Sequence, residues 1–265
     1  VYWLKVYQIP VAGRNSRGRP VVNLLPVGEG ERISSILPVD EYSEDKFVIM
    51  ATANGTVKKT SLDQYSRPRS VGLRAVDLVE GDHLVGTAII DGSQNIMLFS
   101  SEGKAVRFAE TDVRAMGRVS KGVRGMRLPE DHSVISMVIP ESDGFLLIVC
   151  ENGYGKRTKV DEFPTKGRGG KGMIAIQASE RNGPLVGATQ LFTGDEIMLI
   201  SDQGTMVRTR GDEVSVVGRN TQGVRIIRLK ENENLVSLAR VAEPEEDDFV
   251  ESESDGAEIE DSTTD

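Results

Sequence analysis

Short apolar runs separated by polar turns recur along the chain, and helical periodicity is confined to brief stretches. Four segments share one template: KFVIMATANGTVKKT, NIMLFSSEGKAVRF, FLLIVCENGYGKRT and EIMLISDQGTMVRT. Each joins an apolar run to a second strand-like run through a few polar residues and a glycine. Tight hairpin turns need a positive φ, which glycine adopts without strain. The pattern therefore predicts four β-hairpins with the turn glycines Gly55, Gly103, Gly153 and Gly204.

Two further templates accompany the hairpins. One reads RNSRGRPVVNL, RPRSVGLRAVDL, GRVSKGVRGMRL, TKGRGGKGMIAI and GRNTQGVRIIRL, and we expect turns at its shared glycines, which are Gly18, Gly72, Gly122, Gly172 and Gly223. The other is a short apolar strand: RISSILPV, HLVGTAII, SVISMVIP, PLVGATQL and NLVSLARV. The hairpin glycines recur at steps of 48, 50 and 51 residues, so the chain is an array of repeats.

Each repeat contains about four short strands, which predicts an all-β fold. Four-stranded units at this period favour a propeller-like ring, because a ring protects the sheet edges that isolated units would expose. An open β-solenoid is the alternative, although its repeats are usually shorter. We expect one domain over residues 1–241, made of an incomplete unit and four blades; the boundaries are 1–39, 40–90, 91–140, 141–190 and 191–241.

The charge is distributed unevenly. Residues 243–265 hold twelve Asp and Glu and no Lys or Arg; taking these from the 41 acidic residues leaves 29, against 32 basic ones, in the body. The body is thus mildly basic although the net charge is −9. Such an acidic, serine-rich segment cannot bury enough apolar surface to fold, so we expect residues 242–265 to be a disordered tail.

Several classes of protein are disfavoured. The single Cys150 excludes a disulfide framework and indicates a reducing, cytoplasmic setting. The two histidines lie far apart, so we expect no metal site and no catalytic Ser/His/Asp arrangement. No run reaches the ~18 apolar residues of a membrane span. The stretch TKGRGGKG lacks the G-x-x-x-x-G-K-[ST] arrangement and the strand–loop–helix context of a nucleotide-binding loop.

A resemblance to a known family is carried by the motifs MATANGTVKKT, LFSSEGKAVRF, VRAMG, ENGYGKRT, VGRNTQG and RVAEP. In these motifs the chain resembles the C-terminal domain of the DNA gyrase A subunit. The resemblance runs from Val1 to about Pro244. The related domain of the topoisomerase IV A subunit is the alternative, with fewer and more degenerate blades. The resemblance implies a β-pinwheel, six-bladed in the family, whose blades exchange strands.

The resemblance also implies a function. The family's domain wraps double-stranded DNA, and an A2B2 holoenzyme of two A and two B subunits converts the wrap into negative supercoils. ATP and Mg²⁺ would act elsewhere in that holoenzyme, so we expect no cofactor and no catalytic residue in this chain. The family's first-blade signature, Gln-basic-Arg-Gly-Gly-x-Gly, is absent here. Arg168, Gly169, Gly170 and Gly172 match most of it in a later blade.

Wrapped DNA offers phosphates at regular intervals, which suits cations repeated in register without base readout. Such cations cluster around the second-template glycines, often four residues before them. We predict DNA contacts for Arg14, Arg17, Arg19, Arg67, Arg69, Arg74, Arg118, Lys121, Arg124, Lys166, Arg168, Lys171, Arg219 and Arg225. The second hairpin strands add further candidates, which are Lys58, Lys59, Arg107, Lys156, Arg157, Arg208 and Arg210.

Two other interpretations stay open at this level. Surface cations often form only a solvated face, and many propeller rings serve as protein-interaction scaffolds. The acidic tail, tethered beside a basic rim, could compete with DNA phosphate, so its removal is expected to strengthen binding. It could also be only a solubilising appendage.

Overall fold

The computed structural model describes residues 1–13, 15–28 and 30–242, so the acidic tail lies outside the described residues except for its first position. The strands are β1 (Phe47–Thr52), β2 (Thr56–Ser61), β3 (Leu84–Ile90), β4 (Asn95–Ser100), β5 (Lys104–Ala109), β6 (Val123–Arg124), β7 (Val134–Val138), β8 (Phe145–Cys150), β9 (Tyr154–Lys159), β10 (Met173–Ile174), β11 (Leu185–Leu191), β12 (Glu196–Ser201), β13 (Met206–Arg210), β14 (Val224–Arg225) and β15 (Leu235–Val241). Short 3-10 helices cover Val6–Gln8, Val21–Asn23, Leu62–Tyr65, Glu110–Asp112, Val160–Glu162 and Gly211–Glu213. None of the helices in the described ranges is long and apolar enough to cross a membrane.

The strands form four consecutive antiparallel sheets, with the orders β3-β1-β2-β6, β7-β4-β5-β10, β11-β8-β9-β14 and β15-β12-β13. Each sheet contains one of the predicted hairpins. The outermost strand of the first three sheets comes from the following repeat: β6, for example, pairs with β2 through Val123 and Val57. This exchange confirms the predicted all-β pinwheel. The predicted unit boundaries stay a prediction, because each exchanged sheet draws strands from two units.

The core lies between neighbouring sheets. Strand β4 supplies Met97 and Phe99 to the cluster shared with the third sheet, and Ile96 and Leu98 to the cluster shared with the first. Phe99 packs edge-to-face on Phe163, with ring centroids 6.5 Å apart. Both faces of a hairpin are therefore covered, which explains why its first strand reads as a continuous apolar run rather than an alternating one.

The turn glycines hold the repeats together. Gly103 has a φ of +84°, and its carbonyl accepts hydrogen bonds from the N–H groups of Ala175 and Ile176 in the next repeat. A Cβ at this position would lie 2.5 Å from the Ile176 carbonyl oxygen. Positive φ values are shared by Gly55, Gly72, Gly122, Gly153, Gly172, Gly204 and Gly223. Gly18 differs: its φ lies outside the left-handed region, and a Cβ there would meet no atom within 4 Å, so this position does not require glycine.

The N-terminal segment follows the same exchange rule. The Leu73 N–H donates to the Val1 carbonyl at 2.9 Å, and the Val1 ammonium donates to the Leu73 carbonyl at 2.7 Å. Leu73 follows its template glycine directly, as Val123 does in β6. The segment that starts at Val1 thus takes the place of a second hairpin strand.

Candidate nucleic-acid interface

Three loops project from the outer edges of the first three sheets, and we call residues 117–122, 167–172 and 218–223 the edge loops. The first begins where the Met116 N–H donates to the Lys59 carbonyl at 2.8 Å. It ends where Val123 pairs with Val57 on the same strand. Because β2 is the outer strand of the hairpin, the loop between these anchors lies at the rim. The other two loops leave β5 and β9 in the same way.

Each edge loop reads Gly-Arg-x-x-x-Gly, and its arginine occupies the register predicted from the sequence. Arg168 donates to the carbonyls of Asp112 at 2.9 Å and Arg124 at 3.0 Å. Arg219 donates to the Ile174 carbonyl at 3.1 Å. A guanidinium carries five N–H donors, so both side chains keep donors free for another acceptor. These arginines therefore tie adjacent blades and still present positive charge at the rim.

A backbone hydrogen bond links each edge loop to the preceding repeat. The Arg127 N–H donates to the Gly170 carbonyl at 2.8 Å. The Gln177 N–H donates to the Thr221 carbonyl at 2.9 Å, and a longer equivalent of 3.4 Å joins Asp77 to Ser120. The donor lies five residues after one template glycine and the acceptor two before the next. The loops are thus held as a connected series along the outer edge.

The remaining predicted cations divide by exposure. Arg118 and Arg219 are half-buried, and Arg74 lies 3.7 Å from Asp77 while staying exposed. Arg14 lies outside the described residues. The exposed ones are Arg17, Arg19, Arg67, Arg69, Lys121, Arg124, Lys166, Arg168, Lys171 and Arg225.

The prediction that the hairpin cations contact DNA is wrong for the buried members of that set. Lys58, Lys59, Lys156 and Arg157 are only 1%, 6%, 0% and 8% exposed. Successive side chains of a strand point to opposite faces, and the next blade contacts both faces here. Lys58 and Lys156 donate to carbonyls of the edge loops, whereas Lys59 and Arg157 donate to acids of the 3-10 turns. Arg208 and Arg210 stay exposed on β13.

One register of buried cations joins successive blades. Lys59 pairs with Glu110 at 3.1 Å, and Arg157 pairs with Asp212 at 2.8 Å. Both acids lie in the 3-10 turn that follows the next hairpin. Arg107, in the same register, donates to the carbonyls of Val160 and Phe163 in the corresponding turn. Lys59, Arg107 and Arg157, which the sequence suggested as DNA contacts, therefore form contacts between blades.

A second charged cluster was not found from the sequence. The Arg225 guanidinium donates to the Tyr154 hydroxyl at 2.7 Å, and the Arg181 guanidinium lies 4.5 Å from the centre of the same ring. Hydrogen bonds from Arg181 and Arg225 lower the pKa of the Tyr154 hydroxyl. Arg181 belongs to none of the templates, so no repeat signal pointed to it.

The chemistry of the described residues is electrostatic. Within them, no cluster of three His, Cys, Asp or Glu side chains could hold a metal ion. Burial raises the pKa of the Cys150 thiol to about 12, which leaves the thiol unreactive at neutral pH. The exposed cations in and beside the edge loops offer N–H donors and positive charge, which are the groups that anionic ligands require.

Comparisons with known proteins agree with this architecture. The family described as "DNA gyrase C-terminal domain, beta-propeller" matches residues 1–40, 46–91, 94–141, 144–190 and 195–242. The DNA gyrase A subunit of Salmonella typhimurium is 58% identical over 248 residues, covering 94% of this chain and 28% of that protein. Its Escherichia coli counterpart is 57% identical over 244 residues, covering 92% and 28%. The chain thus spans little more than a quarter of the length of these relatives.

Solved structures show the same fold. The structure titled "Structure of DNA gyrase A C-terminal domain" has a TM-score of 0.77 and 26% identity, covering 91% of this chain and 78% of that one. The C-terminal domain of DNA topoisomerase IV has a TM-score of 0.80, covering 84% and 70%, but at 24% identity it supports the fold alone. Since the family match covers most of the residues and follows the repeats along the chain, the chain belongs to the DNA gyrase C-terminal domain family.

Proposed function

We propose that residues 1–241 form a DNA-wrapping domain that bends duplex DNA around the outer edges of successive blades. The observation that carries the proposal is the placement of the edge loops. Three consecutive sheets each present a Gly-Arg-x-x-x-Gly loop at the outer edge, and Arg118, Arg168 and Arg219 occupy one register in it. Repeated cations on repeated structural units match the repeated phosphates of a duplex.

The free-energy cost of bending DNA means that wrapping requires many phosphate contacts. Bending a short duplex sharply costs several kcal/mol, about 1 to 6 for a site of 20–30 base pairs. Single exposed charges contribute little each, so only a series of phosphate contacts offsets the bend. The exposed Lys121, Arg124, Lys166 and Lys171 lie in or beside the edge loops and extend the series.

In the holoenzyme, this wrap would supply the crossing that strand passage converts into negative supercoils. The partners would be the rest of the gyrase A subunit, as a dimer, and the gyrase B subunit, with ATP and Mg²⁺ acting in those parts. We place the assembly in the bacterial cytoplasm, on the nucleoid. Identities of 57–58% to the A subunits of gyrase favour this assignment over topoisomerase IV. We also propose that the acidic tail competes with DNA for the rim.

Salt titration of duplex binding tests the proposal. Phosphate contacts release counterions, so the logarithm of the association constant should fall by about 0.9 per contact for each tenfold rise in salt. Replacing Arg118, Arg168 and Arg219 together by alanine should make that slope shallower. Lys46, Lys159 and Lys230 replaced together by alanine are the matched control, because they are exposed cations outside the edge loops and outside the predicted DNA contacts. A salt-independent affinity, or equal slopes for both variants, would contradict the proposal.

A further inference from the structure

Two lysines are buried beneath edge loops. Lys156 is 0% exposed, and its ammonium donates to the carbonyls of Gly218 at 2.8 Å and Arg219 at 2.6 Å. A third hydrogen bond reaches the Thr221 hydroxyl oxygen at 3.3 Å. The three N–H donors of the ammonium are thus matched to three acceptors, and all three acceptors belong to one edge loop.

Lys58 repeats this arrangement two blades earlier. It lies three residues after its hairpin glycine, as Lys156 does, and it is 1% exposed. Its ammonium donates to the carbonyls of Ala75 and Arg118. In both cases, one acceptor is the carbonyl of the arginine that occupies the predicted DNA register.

These ammonium groups are costly to bury. Within the described residues, neither forms an ion pair with a carboxylate. Burial lowers the pKa of Lys58 and of Lys156 to about 8, which reports that the charged form is disfavoured. Val106 and Val207 occupy the same register in the other two hairpins, so the blade itself does not require a lysine here.

The edge loop beside Val106 is held by other means. There the Gly169 N–H donates to the Gly125 carbonyl at 2.6 Å, and Arg168 bonds two carbonyls through its own guanidinium. Loops 117–122 and 218–223 lack an equivalent of the Gly169 contact among the described residues and have the lysine instead. The ammonium is therefore associated with the loop and not with the sheet.

We propose that Lys58 and Lys156 are positioning residues, which fix edge loops 117–122 and 218–223 so that Arg118 and Arg219 face the phosphates of a bound duplex. Holding the inner carbonyls of a loop removes conformations that would otherwise be lost on binding, and such preorganisation raises affinity. The proposal rests on the proposed function for its ligand, whereas the ordering of the loops is independent of DNA.

The test compares Lys156→Met, which keeps the buried stem, and Lys156→Val, which copies the residue of the neighbouring blades. Val106→Ala is the control, since it changes the same register without touching an ammonium. Amide hydrogen exchange is measured on the full chain without DNA, followed by thermal unfolding and by the affinity for a long duplex. We expect exchange in residues 218–223 to accelerate about tenfold or more. The melting temperature should stay equal or rise, because a buried charge that has no carboxylate partner has been removed.

The same variants should lose about three- to tenfold in duplex affinity, as expected for a modest loss of preorganisation. Unchanged exchange in the loop overturns the proposal, as does faster exchange throughout the third sheet, which would make Lys156 a general packing residue. Faster loop exchange with unchanged affinity overturns the link to DNA. If the unaltered chain fails to bind duplex at all, the proposed function fails, while the exchange data still decide whether the lysines order the loops.

Discussion

The guanidinium of Arg168 donates to the backbone carbonyl of Arg124 at 3.0 Å, which ties an edge loop of the second sheet to the outermost strand of the first. The stretch TKGRGGKG that contains Arg168 is thus one copy of a repeated rim loop. Its Gly169-Gly170 pair allows a close backbone contact with Gly125, at 2.6 Å between nitrogen and oxygen. A basic glycine-rich motif here organises backbone at the rim and presents charge there.

Replacing Lys166, Arg168 and Lys171 together by alanine should weaken duplex binding while the ring stays folded. All three side chains are exposed, so little buried surface is lost. The salt slope should become shallower by about 0.9 for each phosphate contact removed. Circular dichroism and thermal unfolding check the fold, and filter binding at several salt concentrations checks the affinity. Unfolding of the variant, with no change in slope for the folded fraction, would show that the stretch serves blade packing alone.

Glu110→Ala should destabilise the chain by about 3–5 kcal/mol, because it leaves the buried ammonium of Lys59 without its carboxylate. The two side chains are 0% and 8% exposed and lie 3.1 Å apart. Denaturant unfolding measures the loss. Lys59→Met combined with Glu110→Leu is the control, and it should recover most of the stability since no charge remains buried. A loss below about 1 kcal/mol for Glu110→Ala would place this pair with ordinary surface pairs.

Gly103→Ala should destabilise the chain by more than Gly204→Ala. Both residues have a positive φ, +84° and +82°, so each substitution carries a backbone cost of about 1–2 kcal/mol. At Gly103 the new Cβ would also lie 2.5 Å from the Ile176 carbonyl oxygen, whereas nothing lies within 4 Å at Gly204. Denaturant unfolding of both variants separates the two effects. Equal losses would mean that the contact with the next repeat relaxes freely.

The buried lysines predict a pH dependence of stability. Burial lowers the pKa of Lys156 to about 8 in the folded state, against 10.5 for an ordinary lysine; Glu162 and Cys150 oppose the shift and Arg219 adds to it. Burial shifts the pKa of Lys58 likewise to about 8; Arg118 adds to the shift and Asp77 opposes it. Between these values the unfolded chain binds more protons, so the free energy of unfolding should rise with pH.

That rise is measured against a reference variant. The stabilisation should appear as the pH passes from about 8 to about 10.5, and it should be smaller in the double variant Lys58→Met, Lys156→Met. Chemical denaturation at several pH values gives both curves. Curves that stay parallel across this window would show that the two lysines titrate as they do in water.

Much of the fold could be predicted from the spacing of the repeated motifs, and the rest came from the resemblance to the gyrase family. Glycines at a constant step predicted the hairpins, and Gly55, Gly103, Gly153 and Gly204 do occupy their turns with positive φ. Spacing could not show that β6 leaves its own repeat for the preceding sheet, because a strand at constant intervals looks the same whether it pairs within or between repeats. Strand exchange was therefore expected only from the family.

The site was harder to predict than the fold. Lys58 and Lys156 look like surface cations, because their strands, TVKKTS and YGKRTK, are mostly polar and no nearby residue indicates that the next blade covers them. Their burial is a property of the stacked sheets. Arg181 was missed for the opposite reason, since it lies in a turn that no template covers while its contact, Tyr154, is 27 residues away along the chain.

DNA wrapping itself is tested most directly by the dependence of affinity on duplex length at constant salt. Affinity is compared for a duplex well below the persistence length of about 150 base pairs and for a duplex at that length. Concentrations are expressed per potential binding site. A domain that wraps DNA along successive edge loops should bind the longer duplex many-fold more tightly, and the Arg118, Arg168 and Arg219 triple alanine variant should lose most of that advantage. Equal affinities per site for short and long duplexes would contradict wrapping, whatever the absolute strength of binding.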